Sequence, residues 1–187
     1  MKHFFIAFCL IFPLGSKSHS SSANSIGLSI RINLIKEYFV PHVRPTDYIP
    51  ANDSIKEKRF DIQVCLKNNS DSAISIWLMS CSWEWNFLIN NTYILFAGKN
   101  CLKNAPHVVR IGPQDSFLLN TTFARTIMWD NPCLNCIGKL SNVRTTKIGL
   151  IYIDKEHCKD LLEYDDIMGD KSRWNTIIWS NSLDLSK

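Results

Sequence analysis

The sequence contains no apolar run long enough to cross a lipid bilayer, which takes about 20 consecutive apolar residues in a helix. The run at residues 4–12 is only about half that length. The chain also has little excess charge, since 21 lysines and arginines against 17 acidic residues give a formal net charge of +4. Nucleic-acid-binding domains usually carry a strong basic patch. We therefore expect no membrane span in the mature chain and no nucleic-acid partner.

The motifs that identify common catalytic and cofactor sites are also missing. There is no G-x-S-x-G, no H-E-x-x-H, no phosphate-binding loop and no dinucleotide-binding glycine cluster. Glu163, Asp165 and Asp166 lie close together, but an acidic run beside a short helix is typical of a solvated face. His42 and His107 each stand alone. The sequence thus predicts no catalytic residue, no metal site and no cofactor, and it favours a protein that is not an enzyme.

The start of the chain has the pattern of a secretory signal peptide. A short basic start precedes the apolar residues 4–12, and a serine-rich segment follows them. We expect cleavage between residues 15 and 23, so that residues 1–23 form the signal peptide and residues 24–187 form one domain. The remaining length suffices for a single substantial core. This predicts a secreted protein, extracellular or periplasmic.

Alternation of apolar and polar residues dominates the rest of the chain. Such spacing predicts β-strands with one buried face, and it is clearest at Ile26, Leu28, Ile30, Ile32 and Leu34. Turn residues at 68–71 and at 112–115 separate further strands. We expect an all-β fold, an antiparallel β-sandwich of about seven to nine strands. A short helix is predicted near residues 155–167.

Aromatic residues supply candidate ligand contacts. Trp83, Trp85, Phe87 and Ile89 alternate along a predicted strand and so share one face. On an exposed sheet the two tryptophans would form a stacking platform for sugar rings, whereas on a buried sheet they would be core, which we favour. Trp129 is the other candidate for an exposed contact.

Six cysteines remain after the signal peptide, an even number that predicts three disulfides in an exported chain. They are Cys65, Cys81, Cys101, Cys133, Cys136 and Cys158. A predicted hairpin turning at Asn90 and Asn91 would bring Cys81 opposite the neighbour of Cys101. A disulfide between Cys81 and Cys101 is therefore expected.

The two cysteines in "NPCLNCIGK" have the C-x-x-C spacing of redox sites, zinc sites and structural disulfides. A redox C-x-x-C needs a helix that begins at its first cysteine. No amphipathic helix is predicted after Cys136. His157 and Cys158, the nearest further zinc ligands, are adjacent and cannot easily point at one metal. We favour a structural role, with Cys133 and Cys136 bonded to each other or to Cys65 and Cys158. Redox and metal roles remain alternatives.

Four N-x-S/T sequons follow the signal peptide, at Asn52, Asn68, Asn90 and Asn120. They matter where the host glycosylates such sites.

A looser similarity covers much of the chain. The "KNNSDSAISIW" turn and strand, the later "RIGPQDSF" and the closing "IWSNSLDL" resemble small exported immunoglobulin-like β-sandwich proteins, including bacterial proteinase-inhibitor-like sandwiches. The resemblance implies an immunoglobulin-like sandwich and a non-enzymatic binding role, and it transfers no functional residue.

These features favour an exported, disulfide-stapled protein that binds a protein partner, as an inhibitor does, or a glycan. The long loops at 38–56 and 128–146 are the expected contact surfaces, because long loops often carry function. One alternative is a thiol-disulfide or metal-dependent activity at the C-x-x-C. Another is a structural component of an envelope or surface assembly.

Overall fold

Nine β-strands and an α-helix are seen in the computed structural model, which describes residues 26–41, 56–97, 101, 104–125 and 143–186. The strands are β1 (Leu28–Pro41), β2 (Lys56–Asn68), β3 (Ile74–Met79), β4 (Phe87–Ile89), β5 (Ile94–Phe96), β6 (Pro106–Ile111), β7 (Ser116–Arg125), β8 (Ile148–Ile151) and β9 (Ile177–Trp179). The helix α1 spans Leu161–Gly169, and two short 3-10 helices cover Trp83–Asn86 and Lys171–Arg173.

The strands form three antiparallel sheets, with orders β1-β2-β7-β5, β3-β6 and β4-β8-β9. Ile76 of β3 bridges to Asp154, and the N–H of Trp77 donates to the carbonyl of Ile153 at 2.8 Å. The segment that follows β8 therefore lies alongside β3, so the two smaller sheets are linked.

One apolar core lies between the four-stranded sheet and the two smaller sheets. The four-stranded sheet contributes the alternate residues of its strands, such as Ile32, Val64 and Phe123, and the smaller sheets contribute residues such as Ile76 and Leu150. The alternation read from the sequence predicts this arrangement, because every second side chain of a strand points to the same face. The predicted all-β, antiparallel, sandwich-like fold is confirmed.

The first strand follows its predicted pattern for only part of its length. Leu28, Ile30 and Ile32 are buried, whereas Leu34 is 40% exposed. The pairing of β1 with β2 shifts register between Leu34 and Lys36, and a bulge of this kind changes which side chains face the core. The side-chain amide of Asn181 closes the outer edge of β1 by bonding both the N–H and the carbonyl of Ile32.

A second apolar cluster lies on the opposite face of the two smaller sheets, beneath α1. Trp77, Cys158 and Tyr164 are buried there. Asp160 caps the helix, because its carboxylate accepts from the N–H of Glu163 at 3.0 Å. The predicted short helix is confirmed, with bounds of Leu161–Gly169.

The predicted hairpin at Asn90 and Asn91 is wrong in its pairing. β4 pairs with β8 and β5 pairs with β7, so the turn at Asn90 and Asn91 joins two different sheets. The two side chains are anchored elsewhere: Oδ1 of Asn90 accepts from the N–H of Lys147 at 2.8 Å, and Nδ2 of Asn91 donates to Oγ1 of Thr146 at 3.1 Å. β6 and β7 likewise lie in different sheets.

The turns after β2 and after β6 are clamped together. The amide of Gln114, whose φ is +56°, donates to the carbonyls of Asn69 at 3.0 Å and Ser70 at 3.2 Å. The buried Nδ2 of Asn68 lies within hydrogen-bond distance of the carbonyls of Ser72, Ile111 and Gly112.

In the described part of the chain, no helix is long and apolar enough to cross a membrane.

Candidate functional site

An open cleft of about 730 Å³ lies where the start of β1 and the turn after β2 meet the segment that follows β8. Four stretches that are far apart in sequence supply its walls. They are residues 26–27, 70–74, 152–157 and 173–176, joined by Ile167 of α1. The cleft therefore exists only in the folded chain.

The lining of the cleft is part apolar and part polar. Ile26, Ile74 and Ile167 provide apolar surface, and Asp154, His157 and Arg173 provide charged or ionisable groups. This combination of apolar surface with a few placed polar groups is typical of ligand sites.

Asp154 and His157 form a hydrogen-bonded pair at the rim of the cleft. Nδ1 of His157 lies 2.8 Å from Oδ2 of Asp154, and the N–H of His157 donates to Oδ1 of the same carboxylate at 2.8 Å. The bridge between Asp154 and Ile76 holds the backbone of Asp154 against the edge of β3. The imidazole is thereby held by one nitrogen while its ring is 83% exposed.

The phenol of Tyr152 is partly buried in the same wall. Burial, followed by the negative charges of Asp154 and Glu156, raises the pKa of Tyr152 to about 12. The phenol therefore stays protonated near neutral pH and can donate a hydrogen bond to a ligand. Its backbone is held by the N–H of Tyr152, which donates to the carbonyl of Thr176 at 3.0 Å.

Arg173 supplies a positive charge to the cleft, opposite in sign to the carboxylate of Asp154. It lies on the 3-10 helix Lys171–Arg173, which Asp170 caps by accepting from the N–H of Ser172 at 2.9 Å. The Ser172 hydroxyl and N–H lower the pKa of that exposed carboxyl. Within the described residues, Arg173 makes no ion pair, so its guanidinium is available to a ligand.

The Ser70 hydroxyl, which lines the cleft, is hydrogen-bonded within the fold. Oγ of Ser70 lies 2.7 Å from Oδ1 of Asn68 and 2.8 Å from the carbonyl of Ser72. No described hydroxyl is hydrogen-bonded to His157, although a base must reach its nucleophile for covalent catalysis. The arrangement can hold a ligand by hydrogen bonds and charges of both signs.

The structure does not bring Trp83 and Trp85 onto one face, and this prediction is wrong. They lie on the 3-10 helix Trp83–Asn86 and not on a strand, so the period of two does not apply. Trp83 is 9% exposed and packs edge-on against Phe87, with ring centroids 5.3 Å apart. Trp85 is 66% exposed. Trp129 lies outside the described residues.

The disulfide between Cys81 and Cys101 is confirmed, with Cα atoms 6.1 Å apart. The predicted hairpin is not what brings the two cysteines together, since β4 and β5 belong to different sheets. Near the disulfide, Oδ1 of Asn104 accepts hydrogen bonds from the backbone N–H of Cys81 and from that of Ser82.

Cys65 and Cys158 are free thiols in the structure, which departs from the expectation that they form disulfides. Cys65 lies half-buried on β2, and Cys158 is fully buried beneath α1. Cys133 and Cys136, their proposed alternative partners, lie outside the described residues. So do most of the two predicted contact loops, at 42–55 and at 126–142.

His157 and Cys158 point in opposite directions, as expected for adjacent residues of this kind. The imidazole is exposed, whereas the thiol is buried. Among the residues that the structure describes, no three His, Cys, Asp or Glu side chains are grouped so that they could hold a metal ion.

The sequence reasoning missed the cleft as a site. Tyr152, Asp154 and His157 are visible as a short polar stretch directly after an apolar strand, and this was the available signal. Arg173 gave no such signal, because only the fold brings it close to Tyr152, Asp154 and His157.

No protein-family model, no curated protein and no solved structure matches the chain.

Proposed function

We propose that this chain is an exported, disulfide-stapled, non-enzymatic binding protein that recognises a protein partner or a glycan. The cleft at Tyr152, Asp154 and Arg173 is the observation that carries the proposal. It adds a contact surface to those expected in the two long loops at 38–56 and 128–146.

The cleft suits a polar ligand without strong net charge. Arg173 and the protonated phenol of Tyr152 offer donors, and the carboxylate of Asp154 offers an acceptor. A ligand that carries only one sign of charge would be repelled by one of the two charged groups. Hydroxyl-rich sugars and polar peptide segments carry both donors and acceptors, and their apolar faces can rest on Ile74 and Ile167.

Export is supported by the bond between Cys81 and Cys101, because structural disulfides persist in oxidising compartments and are rare in the cytosol. The signal-peptide pattern at residues 1–23 points the same way.

The test is direct binding by the mature chain, residues 24–187, produced under oxidising conditions. A printed glycan array and an array of polar peptides are probed first, and hits are titrated by NMR. We expect Arg173→Ala and Tyr152→Phe each to weaken a hit about 10-fold, as loss of one hydrogen bond to a ligand does.

Arg110→Ala is the matched control, because Arg110 is an exposed arginine on β6 and does not line the cleft. It should leave the affinity unchanged. The proposal fails if neither array yields a ligand, or if every hit binds the Arg173→Ala and Arg110→Ala variants equally well.

A further inference from the structure

The sequons of this chain differ sharply in what their asparagine side chains do in the fold. Asn68 is fully buried, and its Nδ2 faces three carbonyl oxygens at 2.8 to 3.1 Å. A sugar on this nitrogen would occupy the space of those three partners. Asn68 is therefore incompatible with a glycan in the folded protein.

Asn90 is exposed, but both ends of its amide hold the fold together. Nδ2 donates to the carbonyl of Thr145 at 2.9 Å, and Oδ1 accepts from the N–H of Lys147 at 2.8 Å. These bonds fix the turn between β4 and β5 to the segment before β8. A glycan there would have to keep this anchoring geometry.

Asn120 has neither restriction. It lies in the middle of β7, exposed and opposite Gln63 of β2. Its side chain makes no hydrogen bond within the described part of the chain. Its neighbour Thr121 is buried, so Asn120 faces away from the core of the sandwich. The third residue of the sequon, Thr122, donates to Oδ1 of Asp61 at 2.9 Å.

We propose that Asn120 is an N-glycosylation site. In this step Nδ2 of Asn120 forms a bond to C1 of an oligosaccharide and loses one proton. The C1–O bond to a lipid pyrophosphate, the donor that the secretory machinery of the host supplies, breaks at the same time. The proposal rests on the export stated under the proposed function.

The position of Asn120 leaves the candidate cleft open. Gln63, its partner on β2, is five residues before the turn that lines the cleft, which is about 17 Å along a strand. The glycan would instead cover the outer face of the four-stranded sheet, where Leu118 is exposed. Partner binding is thereby directed away from that face.

The experiment is cell-free translation of the full chain with microsomal membranes. Protease protection reports whether the chain is translocated, and endoglycosidase treatment followed by peptide mass spectrometry reports which asparagines carry a sugar. We expect a glycan on Asn120 and none on Asn68 in the protected, folded fraction. Asn120→Gln should remove one glycan.

Two substitutions at Thr122 provide the matched pair. Thr122→Val keeps the shape of the residue but destroys the sequon, and it should remove the same glycan. Thr122→Ser keeps the sequon and should retain it. A protected chain with an unmodified Asn120 overturns this proposal alone. A chain that stays accessible to protease overturns it together with export, so the two failures are distinguishable.

Discussion

The phenol of Tyr164 donates a hydrogen bond to Oδ1 of Asn86 at 3.2 Å, and both residues are almost completely buried. The same oxygen accepts from the N–H of Met79 at 2.9 Å. The amide of Asn86 donates in turn to the carbonyl of Trp77 at 3.3 Å. One polar side chain therefore ties α1 to β3 inside the second apolar cluster.

We expect Asn86→Ala to lower the free energy of unfolding by about 3 kcal/mol, because it leaves buried donors without an acceptor. Tyr164→Phe should cost only about 1 kcal/mol, since Oδ1 of Asn86 keeps the Met79 N–H. Urea unfolding followed by tryptophan fluorescence measures both. Equal losses in the two variants would show that Asn86 is not the centre of this network.

Stability should fall at alkaline pH because of two tyrosines. Burial is the main cause that raises the pKa of both Tyr152 and Tyr164 to about 12. In the unfolded chain each phenol titrates near 10, so the folded state holds its protons more tightly. Their contribution is complete below pH 10 and is lost as the pH rises from 10 to 12.

Unfolding experiments between pH 8 and pH 12 test this dependence. Wild-type protein should be level to about pH 10 and then decline. Tyr164→Phe should decline less steeply, because one of the two titrating groups is gone. A Tyr164→Phe profile parallel to that of the wild type would mean that Tyr164 does not couple stability to pH.

The local pattern of the sequence predicts most of the strands but not their partners. Alternation marks β1 and β2 because burial on one face is a property of each strand alone. Which strands pair depends on distant contacts such as the one from Asn90 to Lys147, which places β4 and β5 in different sheets. Trp83 and Trp85 were misread because one 3-10 turn interrupts the strand period.

The candidate cleft could be predicted only in fragments. The stretch from Tyr152 to His157 is contiguous, so its polar character could be read directly. Its combination with Ser70 and Arg173 depends on the turn after β2 and on α1, which are brought together by tertiary packing. The periodicity of apolar residues does not predict which distant segments lie close together in the fold.

Loss of the disulfide should destabilise the protein by about 3 kcal/mol, as expected for closing a loop of this size. Cys81 and Cys101 are 20 residues apart. The double variant Cys81→Ser/Cys101→Ser avoids a leftover free thiol, and its unfolding is compared with that of the wild type. Unchanged stability would contradict a stapling role for this bond.

Thiol labelling of the native mature protein should separate the cysteines. Cys65 is partly exposed and should be alkylated. Burial, and then the carboxylates of Glu163 and Asp160, raise the pKa of the Cys158 thiol, so we expect labelling of Cys158 only after unfolding.

The same labelling experiment, read by peptide mass spectrometry, tests the C-x-x-C at Cys133 and Cys136. With Cys65 and Cys158 free, a disulfide within the chain at Cys133 and Cys136 requires that these two bond to each other. We expect both to resist the reagent unless the protein is reduced. If they are labelled without reduction, or carry zinc, a thiol-disulfide or metal-dependent activity replaces the structural interpretation.

A methyl group at Gly149 should be poorly tolerated. The added Cβ would lie 2.6 Å from Cγ2 of Ile177 and 3.0 Å from two ring carbons of Trp179. These side chains belong to β9, which pairs with β8 across Gly149. Gly149→Ala should therefore lower the free energy of unfolding by about 1 to 3 kcal/mol through overpacking.

Gly169→Ala is the control for that substitution. Gly169 is the last residue of α1, and an added Cβ there would meet nothing within 4 Å. Its φ is not positive, so alanine should be neutral or stabilise by about 0.4 to 1 kcal/mol by restricting the unfolded chain. Urea unfolding measures both variants. Because the two changes add the same atom, a difference between them isolates the contact of β8 with β9 from the general effect of replacing glycine.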